Sequence, residues 1–255
     1  DDANTSSGSA YIFVRDGTSW SQQAKLVADD AASGDYFGQS VSISGDYALV
    51  GALYDDDGGS NSGSAYIFIR DGTSWSQQAK LVAGDAATGD QFGYSVSISG
   101  DYALVGASYS DDVGNDSGSA YTFVRDGTSW SQQAKLVADD AASDDYFGQS
   151  VSISGDYAVV GAHYDDDAGS NSGSAYTFVR SGTSWSQQAK LVASDAAAND
   201  FFGYSVSISG DYALVGANGK NGGWFGSGSA YDFNVVAPSG GWNPIIGDEV
   251  APTIT

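Results

Sequence analysis

Short apolar runs with a period of two, punctuated by glycine-containing turn signals, recur along the whole chain. In the run from Gln39 to Ser44, Val41 and Ile43 alternate with Ser40, Ser42 and Ser44, the pattern of a half-buried strand. Gly45-Asp46 is a hairpin signal, and YALVGA (47–52) returns as the partner strand. An acidic loop, YDDDGGSNSG, follows; SAYIFIR and SWSQQAKLVA then form a second hairpin across Asp71-Gly72. The linker GDAATGDQ leads to the next Phe92-Gly93. No segment sustains a helical period between capping residues, so helix content is expected to be minimal.

This order repeats every 55 residues. Gly8-Ser9-Ala10-Tyr11 returns at Gly63, Gly118, Gly173 and Gly228, GTSWSQQAKLVA is identical at 17–28, 72–83, 127–138 and 182–193, and SVSISGDYA is identical at 40–48, 95–103, 150–158 and 205–213. Two hairpins per repeat predict a four-stranded antiparallel sheet, and sheets stacked around an axis bury both faces, which accounts for runs apolar on both sides. The predicted fold is an all-β propeller of four or five four-stranded blades. It spans 1–248 as a half unit at 1–28 and units at about 37–83, 92–138, 147–193 and 202–248, with 249–255 as a tail or linker to a further module. A two-sheet sandwich, the main competitor, leaves the repeat unexplained.

Composition narrows the function. The 255 residues carry 32 acidic and 9 basic side chains, a formal charge of -23, with no Cys. Phosphate backbones and anionic membrane surfaces would be repelled, so nucleic acid and membrane insertion are not expected. The charge calls for screening by divalent metal, by salt, or by both. With no apolar stretch of about 20 residues and no signal peptide, the chain reads as a piece of a longer exported protein.

The run Phe37-Gly38-Gln39-Ser40-Val41 through Ala48-Leu49-Val50-Gly51-Ala52, recurring at 92–107, 147–162 and 202–217, resembles the FG-GAP repeat of integrin alpha-chain heads and bacterial surface proteins. The resemblance implies a propeller, an extracellular or cell-surface location, adhesion to a ligand, and calcium. Two features depart from it. The connection Ser44-Gly45-Asp46-Tyr47, where the integrin-type calcium loop would sit, is too short to wrap an ion, and Leu53, Ser108, His163 and Asn218 replace the Pro of GAP. The tail from Gly247 to Thr255 resembles the opening strand of bacterial immunoglobulin-like adhesin modules.

Candidate metal ligands therefore fall on the acidic loops after the second strand: Asp55, Asp57 and Asn61; Asp111, Asp112 and Asp116; Asp165, Asp167 and Asn171. Such oxygen ligands suit Ca2+, and a solvated turn in which Asp and Asn bond their own backbone is the competing reading. The fourth copy, Asn218-Gly219-Lys220-Asn221-Gly222, has lost its acids and gained a lysine. Asp30 and Asp35, with their copies at 85 and 90, 140 and 145, and 195 and 200, read as turn caps rather than catalytic pairs. Trp20, Trp75, Trp130 and Trp185 read as covers of the sheet edge, and His163 as a bland surface substitution. Trp224 and Phe225, aromatic residues in the divergent fourth loop, are the candidate ligand-binding pair.

The expected function is a non-catalytic binding or adhesion module recognising an extracellular protein or glycan. The alternative is a filament subunit, because the N-terminal hairpin duplicates strands the C-terminal unit already provides and could complete another chain.

Overall fold

The computed structural model describes residues 5–220 and 227–235. It is all-β, with 17 strands in five antiparallel sheets. The first sheet is the hairpin β1 (Ala10–Asp16) and β2 (Ser19–Leu26). The second runs β3 (Val41–Ser44), β4 (Tyr47–Ala52), β5 (Ser64–Asp71), β6 (Ser74–Leu81). The third repeats it as β7 (Ser95–Ser99), β8 (Tyr102–Ala107), β9 (Ser119–Asp126), β10 (Ser129–Leu136). The fourth is β11 (Ser150–Ser154), β12 (Tyr157–Ala162), β13 (Ser174–Ser181), β14 (Ser184–Leu191). The fifth has β15 (Phe202–Ser209), β16 (Tyr212–Ala217) and β17 (Ser229–Asn234).

Three sheets are thus complete propeller blades, while the described parts of the first and fifth have two and three strands. The C-terminal part of the unit placed at 202–248, from 236 onward, and the tail at 249–255 lie outside the described residues. Each hydrophobic cluster joins one sheet to the next. Leu49, Ile67 and Leu81 of the second sheet, for example, share a core with Val96, Ile98, Tyr121 and Phe123 of the third. The clusters link first to second, second to third, third to fourth and fourth to fifth. Among the described residues no cluster joins fifth to first, so the described propeller blades form an open series.

The serines alternating with Val and Ile explain how the innermost strands dock. Ser42 Oγ and Ser44 Oγ accept from the amides of Ile98 and Gly100, and Ser40 Oγ donates to the carbonyl of Gly93 at 2.7 Å. Ser95, Ser97 and Ser99 make the same three bonds to the fourth sheet, and Ser150, Ser152 and Ser154 to the fifth. A side chain that satisfies the neighbour's backbone lets two unpaired strands meet without orphaned polar groups. Glycine is required at this seam. A Cβ on Gly51 would lie 2.0 Å from the Gly93 carbonyl, and Gly93 itself has φ +91°, a left-handed conformation that glycine adopts without a steric penalty. The phenylalanine beside it, Phe92, is buried edge-on against Tyr121 and Phe123 at 5.5 and 5.9 Å.

The outer strands are held by tryptophan. Trp75, Trp130 and Trp185 donate their indole N–H to Gln23, Gln78 and Gln133 of the preceding sheet at 2.8–3.0 Å, and each packs on an inter-blade cluster. They were read as covers of the sheet edge, and Trp75, Trp130 and Trp185 tie each blade to the one before it.

Candidate functional site on the linker face

Each blade has two ends. At one lie the tight turns of both hairpins, where Asp46, Asp101 and Asp156 pair with Arg70, Arg125 and Arg180. At the other, the acidic loop after the second strand meets the inter-blade linker. The candidate residues collect at this linker end.

There the carboxylates are drawn together around a lysine. Lys80, from the outermost strand β6, lies 2.7 Å from Asp30 and 2.9 Å from Asp55, and also pairs with Asp57. Buried Asp55 accepts further bonds from Ser64 Oγ and from Tyr66 Oη, both at 2.9 Å. Burial opposes ionisation of Asp55, but the Lys80 ammonium, the Asp57 amide and these hydroxyls outweigh it and hold its pKa below the usual carboxylate value. Lys80 is likewise disfavoured by burial and more than compensated by Asp30, Asp57 and Asp55, so its pKa rises. Lys190 repeats the arrangement with Asp140 and Asp165, both at 2.8 Å, and with Asp167.

The middle copy is a reduced version. Ser110 stands where Asp55 and Asp165 stand, and Lys135 pairs with Asp85 and Asp112, which also accepts from Ser110 and Ser119. The buried Tyr121 hydroxyl consequently has no carboxylate to match those facing Tyr66 and Tyr176. In the fifth sheet Lys220 supplies the cation from the loop itself, 3.0 Å from Asp195 and 2.9 Å from Asp200. The lysine gained and the acids lost in that copy are therefore one compensating change.

Asp30, Asp55 and Asp57, and separately Asp140, Asp165 and Asp167, place carboxylate oxygens within 4.8 Å of one another, an arrangement that can hold a metal ion. The all-oxygen donor set fits a hard divalent cation. The lysine ammonium bonds the same oxygens, so metal and lysine are competitors. Of the ligands expected from sequence, Asp55, Asp57, Asp112, Asp165 and Asp167 join a charge cluster. Asn61, Asp116 and Asn171 instead turn the loop, with φ of 54°, 50° and 54°, and their amides donate to Asp56, Asp111 and Asp166. Asp111 thus ties the backbone and stays apart from Lys135's carboxylates. Asp30 was read as a cap, yet it is the third member of its cluster. Asp35, Asp90, Asp145 and Asp200 do cap turns, accepting from the amide three residues before. Trp224 and Phe225 lie outside the described residues.

Sequence reasoning missed an aromatic row on the same end, made by residues flanking each Phe-Gly and following each Gly-Ala. Tyr94 meets Tyr109 at 6.2 Å, Tyr109 meets Tyr146 at 5.1 Å, Tyr146 meets Tyr164 at 5.2 Å, and Tyr164 meets Phe201 at 5.4 Å. Tyr36 and Tyr54 form a further pair at 5.2 Å. Polar groups border the row: Tyr146 Oη donates to Asp116, and Gln149 donates to Tyr94 Oη. His163, expected at the surface, is instead buried against Tyr164 and Tyr204, its Nδ1 without a partner, and burial lowers its pKa to about 4. The available signal was that these positions lie outside the identical blocks.

Four-stranded antiparallel blades docked face to face around their innermost strands define a β-propeller repeat protein. The FG-GAP repeat matches residues 20–68, 75–123, 130–178 and 185–233, and the chain belongs to the FG-GAP repeat family. Each matched unit starts at the tryptophan strand of one sheet and ends in the third strand of the next, and so crosses a blade boundary. A search of curated proteins finds no match.

Proposed function

We propose that the protein is an extracellular, non-catalytic binding module whose linker face recognises a neutral glycan. The observation that carries this reading is the row of four tyrosine rings on two successive blades, continued onto a third by Phe201. Tyrosine offers an apolar face and a polar tip. Sugar rings, with C–H groups on their faces and hydroxyls around their edges, match that combination, and Asp116 and Gln149 supply polar groups at the row's margin. A formal charge of -23 disfavours sulfated or uronic-acid ligands. The extracellular location and the adhesive role rest on what is typical of FG-GAP proteins. Calcium belongs to the same reading as the ion that would replace Lys80 or Lys190 among their carboxylates. The absence of catalysis rests on the acids: they are engaged by lysine or by backbone amides, and they repeat from blade to blade without a partner nucleophile.

A glycan array probed with the labelled chain, with and without millimolar calcium, tests the proposal. Selective retention on neutral glycans is expected; retention on anionic glycans alone, or on none, contradicts it.

A further inference from the structure

The two ends of the blade series expose the separate halves of a contact that the chain seals three times inside itself. At the first end Val41 and Ile43 are 62% and 58% exposed, whereas their copies Val96 and Ile98 are 8% and 5% exposed. At the last end Leu214 is 51% exposed, whereas its copy Leu49 is fully buried in the cluster that holds Val96 and Ile98. The polar halves match as well. Ser205, Ser207 and Ser209 repeat the serines that clasp the following blade, and Gly216 repeats the glycine that leaves room for its carbonyl. Across the interior seam those partners are a Phe-Gly carbonyl and two amides, and their copies at the first end are the Gly38 carbonyl and the amides of Ile43 and Gly45.

We infer that these two ends dock head to tail between copies of this chain. Leu214 of one copy covers Val41 and Ile43 of the next, and Ser205, Ser207 and Ser209 bond its Gly38, Ile43 and Gly45. The interface continues the interior one, residue for residue. A second copy is the occupant because its last end carries the matching leucine, serines and glycine, while among the described residues no hydrophobic cluster joins this chain's own two ends; its first hairpin is packed on the second sheet through Ala10, Leu26, Tyr66 and Phe68. That hairpin occupies the place of a third and fourth strand, so when β15 and β16 of another copy add the missing inner pair, β1 takes the edge of β16 that β17 holds. The exchange sets Ile12 where Asp232 stands, at a position filled in the other copies by Ile67, Thr122 and Thr177. The contact is heterologous and leaves a free half at each end, so it propagates. It goes beyond the glycan reading and rests on different residues.

Ile43→Asp and Leu214→Asp test it, because both side chains are solvent-exposed in the single chain, and circular dichroism with the thermal midpoint checks that each variant is folded. Light scattering is expected to show concentration-dependent oligomers for the unsubstituted chain and monomers for each variant alone. A mixture of the two variants is expected to form dimers and nothing larger, since each retains one intact end. Hydrogen exchange in Ser229–Asn234 is expected to speed up as the unsubstituted chain associates. A monomeric unsubstituted chain at 100 µM, association that survives either substitution, or β17 amides that stay protected in the assembly would overturn the inference.

Discussion

Lys80 and Asp55 stand 25 residues apart in sequence and 2.9 Å apart in space, and the pair anchors the outermost strand of a blade to the loop that follows its second strand. The lysine occupies the centre of the oxygen set that would otherwise take a cation. Replacing it with an uncharged residue of similar length separates the two roles. Lys80→Met leaves Asp55 buried and unpaired, and a loss of about 3 kcal/mol is expected. Millimolar calcium is expected to restore much of it by binding the released carboxylates. Thermal unfolding with and without calcium checks this. An unchanged midpoint in both conditions would mean that the carboxylates are held by solvent alone.

The middle blade offers the reverse experiment. Ser110 lacks the carboxylate that Tyr66 and Tyr176 find in Asp55 and Asp165. Ser110→Asp gives the Tyr121 hydroxyl an acceptor and Lys135 a second close partner. Stability at pH 7 is expected to rise by about 1 kcal/mol, the net worth of a buried hydrogen bond. Urea unfolding measures it, and a decrease would show that the third blade cannot bear another buried charge.

His163 is expected to give the fold a pH dependence. Its pKa falls from 6.5 to about 4 through burial, so the folded chain keeps it neutral where the unfolded chain protonates it. Its contribution is complete above pH 6.5 and is lost progressively as the pH falls toward 4, by about 3 kcal/mol. Asp145 acts in the opposite sense: burial, reinforced by Asp165, raises its pKa to about 6, and its charge weighs against the fold above that value. His163→Leu, which copies Leu53, is therefore expected to raise stability at pH 4.5 more than at pH 7.5. Equal effects at both values would show that the imidazole is not the titrating group.

The blade was legible in the sequence because its alternation, its hairpin turns and its 55-residue period all specify the same sheet. The charge clusters were only half legible. Asp55 and Asp57 announce themselves in an acidic run, but Lys80 sits inside the block-copied AKLVA and reads as an ordinary strand residue. Its partner Asp30 lies 50 residues away, across a blade boundary, and only the stacking of sheets reveals the pairing. The aromatic row was illegible for a related reason. Tyr94, Tyr109, Tyr146 and Tyr164 come from four separate segments and meet only where two blades stack. The surplus N-terminal hairpin was legible in the sequence as a spare half unit, and the described residues end in two unsealed faces.

Calorimetric titration of a neutral glycan retained on the array, into the unsubstituted chain and into Tyr109→Ala and Trp20→Ala, tests the binding account most directly. Tyr109 lies within the row, between Tyr94 and Tyr146, whereas Trp20 is the most exposed large hydrophobic residue described, at 67%, and lies on an outer strand. The account predicts that Tyr109→Ala weakens binding about tenfold, ~1.4 kcal/mol, and that Trp20→Ala leaves it unchanged. Binding lost with Trp20 and retained without Tyr109 would place the ligand on the outer edge of the blades and contradict the account.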